Sequence, residues 1–367
     1  MEFDFDKIFK IPTKALHIGG AHPYIPRDRK WAFQFFIVHG LFTLAFVNIV
    51  YNMICHDLKS NNFSQICKNG VLFVIYVVIT VQYFVLLRHR STLVDLINDM
   101  NRDYKESKQM NPVEKAVLLK YVNLGVWVCK QWLFVPTLGA SMFLVKNFSL
   151  LLYYYFKGEF KLVPLYELVY PSVIEEHKDN ICVYLLTYAL MLLYGCYSSL
   201  MYVAYVPLGP IFMLHACGQL ELVKNRTDDL FVECDEKVIR RKLKIIVMQL
   251  QYIYGYVLFP VIDGEIFKAL NKGEVSLEFI TFIFGGTLIS SSPCYYSDLL
   301  MEKGEMVRMA LYTCGWERYY DRRTRTTLQF MLQSALRPIA LKTIFRALCL
   351  DALTDVCDFF FNFNPNV

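Results

Sequence analysis

The sequence predicts an all-α membrane protein with seven transmembrane helices, the amino terminus in the cytosol and the carboxyl terminus outside. Three observations carry this reading: few charges, long uncharged blocks, and basic residues gathered in alternate loops. Of the 367 residues, 55% are hydrophobic, 16% aromatic and only 19% charged, against about a quarter charged in an ordinary soluble domain. A bilayer core about 30 Å thick takes roughly 20 helical residues at about 1.5 Å each. Backbone facing lipid must satisfy its own hydrogen bonds, which favours helices over open strands.

Residues 1–30 mix Asp4, Asp6, Lys7, Lys10, Arg27 and Arg29 with prolines and have no apolar core. They read as a cytosolic segment, not a cleaved signal peptide. Residues 31–300 hold six spans and their loops. The spans are about 31–55 and 69–87, both uncharged, then 121–145, which contains only Lys130. The fourth, 181–214, lies within a run from Ile181 to Leu220 that has no formal charge and is longer than a membrane requires. Shorter runs give 245–262 and 279–297. Residues 301–338 read as cytosolic. The seventh span, 339–363, is apolar but carries Lys342, Arg346, Asp351, Asp355 and Asp358, and 364–367 form an outer tail.

Orientation follows from the loops. The segments on the amino-terminal side (1–30, 88–120, 217–244 and 301–337) hold 27 of the 38 Lys and Arg residues, and the opposite loops hold 7. The sequons at Asn62 and Asn147 fall at outward ends under this topology, where glycans reach. Asn225-Arg-Thr falls in the cytosol, and the inverted topology exposes only that one. A seven-helix G-protein-coupled receptor, the main alternative, needs the inversion. A non-catalytic membrane transporter is the other alternative. An enzyme is not expected: the seven histidines form no HxxxH or HExxH pair, and GxSxG and GxxxxGK[ST] are absent. The eleven cysteines include no CxxC or Cys/His metal spacing, so neither metal nor other cofactor is expected. Cys55 and Cys67 bracket the first outer loop and are disulfide candidates, with Cys182 a third partner.

Several stretches resemble the insect odorant receptor family. Ile11-Pro-Thr-Lys-Ala-Leu-His-Ile-Gly-Gly followed by Pro23 is similar to its amino-terminal "P…L…G…P" pattern. His215-Ala-Cys-Gly-Gln-Leu-Glu-Leu resembles its "H-x-C-G-Q-L-E" segment, and Ala310-Leu-Tyr-Thr-Cys-Gly-Trp316 its "A-x-Y-x-x-x-W" stretch. Leu328-Gln-Phe-Met-Leu and Arg337-Pro338 continue the carboxyl-terminal pattern. Two departures stand out: Lys244 to Pro293 is shorter than the family's usual stretch, and the chain ends Phe359-Phe-Phe-Asn-Phe-Asn-Pro-Asn-Val without "S-Y-S-x-F".

The resemblance implies an odorant-tuned subunit of a non-selective cation channel. It is expected in the plasma membrane of the olfactory dendrite, in a hetero-oligomer, four subunits around one pore, with the shared co-receptor. The cytosolic parts of helices 4 to 7 would form an anchor domain and helix 7 would line the pore. The pore candidates are Asp351, Thr354, Asp355 and Asp358, then Phe360, Phe361 and Phe363 at the outer gate. The three Asp share one helical face. Ringed around an axis they attract cations; pairing with neighbours at the membrane border is the open alternative. Lys342 and Arg346 read as snorkelling cations or as part of the cytosolic exits. Lys130 reads as a functional intramembrane charge or as a structural pair.

By the same resemblance a small volatile odorant binds between the outer halves of helices 2, 3, 4 and 6. Those halves supply Phe73, Tyr76, Val77 and Thr80, then Phe134, Thr137, Leu138 and Ser141. They also supply Tyr184, Leu185, Tyr188 and Leu192, and lastly Phe279, Phe282, Ile283 and Gly286. Aromatic walls suit flat ligands, and Tyr hydroxyls orient one polar group; helix packing is the competing explanation for any one of these residues.

Overall fold

The computed structural model describes residues 4–60, 63–158, 161–232, 235–256, 277–319, 321–337, 339–340 and 350. Among them the regular structure is helical throughout. Two short helices, α1 (Phe5–Ile8) and α2 (Lys10–Ile18), precede α3 (Arg29–Asn52). Asp28 caps α3 by accepting from the Trp31 amide at 2.8 Å, and a π-helical turn, Met53–Asp57, follows it. Then come α4 (Phe63–Arg88), α5 (Arg90–Glu106) and α6 (Pro112–Lys157). The short α7 (Ser172–Glu175) leads to α8 (Ile181–Tyr205), capped by Asn180, and to α9 (Leu208–Asp228). The last are α10 (Glu236–Tyr256), α11 (Leu277–Thr313) and α12 (Arg322–Ala335), the last capped by Asp321.

Four stretches of the described residues are long and apolar enough to cross a membrane: Arg29–Asp57, Lys68–Arg88, Pro112–Lys157 and Ile181–Asp228. The fifth expected span begins in α10, but 257–276 lie outside the described residues. The sixth forms the first part of α11, which runs without a break into the segment expected to be cytosolic. Of the seventh, only residues 339–340 and 350 are described.

The fourth span is not one helix. Pro207 has no amide hydrogen to continue a helical ladder, and the chain breaks at Val206 and Pro207 into α8 and α9. The expected length at 181–214 is thereby corrected: α8 alone has 25 residues, enough for a bilayer. α9 is different in kind. Fifteen of its 21 residues are buried, because α6, α10 and α11 all pack around it, and a helix that is apolar on every side needs such a jacket. That explains why its uncharged run exceeds what lipid demands.

The amino-terminal helices, unlike a loose tail, are part of the core. Phe5, Phe9, Ala15 and Leu16 are buried, and Phe5 stacks on Phe212 of α9 at 6.2 Å between centroids. The backbone at Gly20 has φ +68°, a left-handed conformation that favours glycine. This turn presents its carbonyl to Trp31 Nε1 and Arg27 Nη1, each donating at 2.8 Å. Arg90 Nε donates to the Pro23 carbonyl at 2.6 Å. The "P…L…G…P" stretch thus ties the amino terminus to α3 and α5. By contrast the outer surfaces of α3 and α6 carry large exposed apolar groups, among them Phe36, Leu44, Phe134 and Phe148, as lipid-facing helices do.

Candidate functional site

Three polar or aromatic constellations stand out against this apolar frame. The first is an aromatic cluster where α3, α4 and α8 meet. Tyr76 stacks on Phe46 at 3.8 Å, Phe73 leans on Phe46 at 5.3 Å, and Phe42 lies against Tyr76, Tyr194 and Tyr197. The Tyr76 hydroxyl is bonded to Thr43 at 2.9 Å, and Tyr194 donates to the Leu72 carbonyl at 2.5 Å. His39 sits among Phe35, Phe42, Tyr76, Tyr83, Phe84 and Tyr197.

The second lies at one end of the bundle, the end expected to face outward, where the segment 163–170 crosses α4, α6 and α8. Asn147 of α6 is buried and its Nδ2 donates to the carbonyls of Val163 at 2.9 Å and Pro164 at 3.0 Å. Tyr188 donates to Asn147 Oδ1 at 3.2 Å, and Tyr184 to the Val163 carbonyl at 2.8 Å. Beside them opens a cleft of about 410 Å³, its mouth included. It is lined by Leu72, Phe143, Leu165 and Tyr166 on the apolar side and by Gln65, Lys68, Asn69, Lys146 and Glu167 on the polar side. Glu167 accepts from Gln65 Nε2 at 2.8 Å and Lys146 Nζ at 3.3 Å. Burial alone would raise its pKa; the Gln65 bond and the Lys146 charge outweigh that and hold the carboxyl below its ordinary value.

The third is a polar core at the other end of the bundle, built on α9. Asp103 of α5 lies 3.0 Å from His215 Nε2 and accepts from Gln219 Nε2 at 2.9 Å. Gln249 of α10 donates to Gln219 Oε1 at 2.7 Å. Arg226 then joins Gln249 at 2.8 Å to Glu114 of α6 at 2.7 Å. Glu221 accepts from the Tyr121 hydroxyl at 2.6 Å and from Lys120 at 3.4 Å, with Lys303 of α11 3.8 Å away. At Gly218 a Cβ would lie only 3.2 Å from the Tyr121 ring, so glycine lets α6 and α9 approach closely. Every marked position of the His215–Glu221 motif is thereby accounted for: His215, Gln219 and Glu221 bond, Cys217 and Leu220 are buried, and Gly218 makes room.

A family model described as 7tm Odorant receptor matches residues 62–259 and 275–361. The chain belongs to that family. Two solved structures share its fold. The insect olfactory receptor OR5 from Machilis hrabei in complex with eugenol superposes with a TM-score of 0.72 at 12% identity, covering 98% of this chain and 96% of that one. The structure described simply as OR5 from the same species gives 0.63 at 12% identity, with coverage of 98% and 97%. No curated protein matches the chain. This odorant receptor is accordingly a helical membrane protein of a receptor family, not of an enzyme family.

Within the odorant receptor the expected ligand residues separate. Phe73 and Tyr76 belong to the aromatic cluster and Leu192 packs on the core. Val77, Phe134, Leu138 and Leu185 lie on exposed faces. Thr137 and Ser141 donate to carbonyls of their own helix, and the Thr80 hydroxyl is buried without a hydrogen bond among the described residues. On α6 Trp132 and Asn147 are buried, Pro136, Ser141 and Phe143 are half-buried, and Phe134, Thr137 and Leu138 are exposed. Tyr184 donates its hydroxyl to the Val163 carbonyl, and Tyr188 donates to Asn147 Oδ1 of α6. Phe279, Phe282, Ile283 and Gly286 fall on the first turns of α11. Asp351, Thr354, Asp355, Asp358, Phe360, Phe361 and Phe363 lie outside the described residues, as does Asn62. Glycosylation at Asn147 does not fit this structure: the amide nitrogen is buried and donates to two carbonyls. Cys55 and Cys182 are free thiols, and the side chain of Cys67 is outside the described residues. The cleft residues were missed because single polar residues at span ends look like ordinary loop boundaries.

Proposed function

We propose that this chain is the odorant-tuned subunit of a non-selective cation channel, assembled with the family's shared co-receptor in the plasma membrane. The observation that carries it is the family match together with fold likeness, over nearly the full length of both chains, to a receptor captured with eugenol. A small volatile ligand binds between the outer halves of helices 2, 3, 4 and 6, against the aromatic cluster of Phe73 and Tyr76. Phe279, Phe282, Ile283 and Gly286 supply the helix 6 wall. Binding opens a pore lined by the 339–363 helix, with Asp351, Asp355 and Asp358 drawing cations and Phe360 to Phe363 forming the gate. The amino terminus is cytosolic, as the loop charges require.

The test is to record membrane current from cells expressing the chain with the co-receptor while a broad odorant panel is applied. The expected result is odorant-evoked cation current, absent from cells lacking this chain. No evoked current across the panel, despite surface expression, sinks the proposal. Asp355→Asn should change cation permeability or block; unchanged profiles at all three Asp positions remove them from the pore.

A further inference from the structure

The turn that precedes α3 anchors two arginines on backbone carbonyls three residues apart. Arg27 Nη1 donates to Gly20 at 2.8 Å and Arg90 Nε to Pro23 at 2.6 Å. Both side chains are half-buried, and neither has an ion-pair partner among the described residues. Asp28, the carboxylate next to Arg27 in the chain, is turned to the Trp31 amide. Arg27 Nη2 is buried without a hydrogen bond of ordinary length. Burial holds this guanidinium below its ordinary pKa; the like charge of Arg90 adds to the effect and the Tyr83 hydroxyl opposes it. A buried charged donor left unpaired is costly, and guanidinium forks match the oxygens of a phosphate. The place is as telling as the charge. The candidate spans Arg29–Asp57 and Lys68–Arg88 begin and end here, so the two arginines stand at headgroup level. Arg27 lies 4.1 Å over the ring of Trp31, a residue type that gathers at that level. Just inside, Phe33 and Phe36 of α3 and Phe84 of α4 are exposed, an apolar bed for acyl chains.

We propose that this turn binds an anionic phospholipid of the cytosolic leaflet, its phosphate accepting from Arg27 and Arg90 and its acyl chains lying along Phe36 and Phe84. That leaflet carries the membrane's anionic lipids, and basic pockets between spans on this side hold their headgroups. A head that is anionic overall answers both arginines, whereas phosphatidylcholine brings a cation of its own. The bound phosphate also fastens the turn that ties the amino terminus to α3 and α5, so the lipid stabilises the folded chain. The proposal rests on the membrane reading and the cytosolic amino terminus, and is independent of odorant gating.

The test uses the full chain purified with the co-receptor in a neutral detergent and titrated with dioctanoyl phosphatidic acid, dioctanoyl phosphatidylcholine or glycerol 3-phosphate. Native mass spectrometry counts the molecules held by the complex, so any site on the co-receptor stays in the count when this chain is changed. Phosphatidic acid should bind at least about tenfold tighter than phosphatidylcholine, the worth of one charge-assisted bond, and should raise the unfolding midpoint. Arg27→Gln and Arg90→Gln keep an amide for the turn carbonyls. Each should lose one phosphatidic acid per copy of this chain while the phosphatidylcholine count holds, which also shows that the variant is folded. If Arg27→Gln does not assemble, Arg90→Gln decides. Arg90→Lys should retain the lipid, and Arg29→Gln, which removes an exposed cation of the same turn, should leave the count unchanged. Equal affinity for the two lipids, an unchanged count in the Gln variants, or the same loss in Arg29→Gln overturns the proposal. Glycerol 3-phosphate binding as tightly as phosphatidic acid also overturns it, in favour of a soluble anion. If odorants evoke current while the lipid preference is absent, only the lipid proposal fails. If the preference holds and no odorant evokes current, only the channel reading fails.

Discussion

Asp103→Ala should destabilise the protein far more than removal of an exposed carboxylate. The Asp103 side chain is 13% exposed and His215 is 2% exposed; Gln219 is buried as well. Alanine takes the acceptor from both, and each buried donor left unpaired costs about 1–3 kcal/mol. The expected loss is therefore about 2–6 kcal/mol, the sum of the two. The comparison is Asp228→Ala, which breaks a pair with Lys224 whose carboxylate is 41% exposed; such pairs are worth at most about 1 kcal/mol. Buried Cys129 and Cys217 make a thiol-reactive fluorogenic dye a direct reporter of thermal unfolding in detergent. The midpoint should fall markedly in Asp103→Ala and little in Asp228→Ala. Gln219→Ala added to Asp103→Ala should cost less than Gln219→Ala alone, with a coupling of about 0.5–3 kcal/mol. Equal shifts for the two Asp variants, or strict additivity in the cycle, would refute the reasoning.

Gly20→Ala places a Cβ at φ +68°, costing about 1–2 kcal/mol, so a lowered unfolding midpoint is expected, with Gly20→Asn closer to wild type; no change in either counts against a strained turn. Asn147→Gln should leave the endoglycosidase-induced mobility change the same as in wild type, and a shift in wild type that the variant lacks would show a glycan there. Asp6, 3.6 Å from His22 Nε2, is held below its ordinary pKa first by that contact, against the opposing effect of burial. Its contribution is therefore complete above the ordinary carboxylate value of about 3.9 and lost as pH falls through the lowered one. Asp6→Asn should accordingly be less stable than wild type at neutral pH and converge with it in acid; a constant difference across that window contradicts the assignment. Glu167→Gln should speed trypsin cleavage at the exposed Lys161 in intact vesicles, by releasing the outer segment from Lys146; an unchanged rate argues that the Asn147 bonds alone hold it.

Hydropathy gives 31–55 and 69–87, against helices α3 (Arg29–Asn52) and α4 (Phe63–Arg88), because the polar first turns of α4 carry no apolar signal. It under-read α6, taking 121–145 from a helix that runs Pro112–Lys157, since Lys115, Lys120 and Lys146 bound a run charged only at Lys130 without interrupting the helix. It also joined α8 to α9, because absence of charge says nothing about the loss of a backbone donor at Pro207. The outer part of α6 is apolar on all sides, so no periodicity tells which face turns inward. That is why Phe134 and Leu138 were expected inside while Trp132 and Asn147 take that place. The His215–Glu221 motif was legible as a resemblance, but its physical content, a hydrogen-bonded chain across α5, α6, α9, α10 and α11, needed coordinates.

At 46 residues, α6 is about 70 Å long, well beyond a bilayer with its headgroups at about 40–45 Å. Pro136 stands near its middle, where the missing donor softens the helix and Ser199 of α8 braces the carbonyl at 3.3 Å. One arm ends beside the outer cleft through Phe143, Lys146 and Asn147; the other carries Glu114 and Tyr121 into the polar core around α9. A helix softened at its midpoint is two nearly equal arms joined at a hinge, one arm for each site.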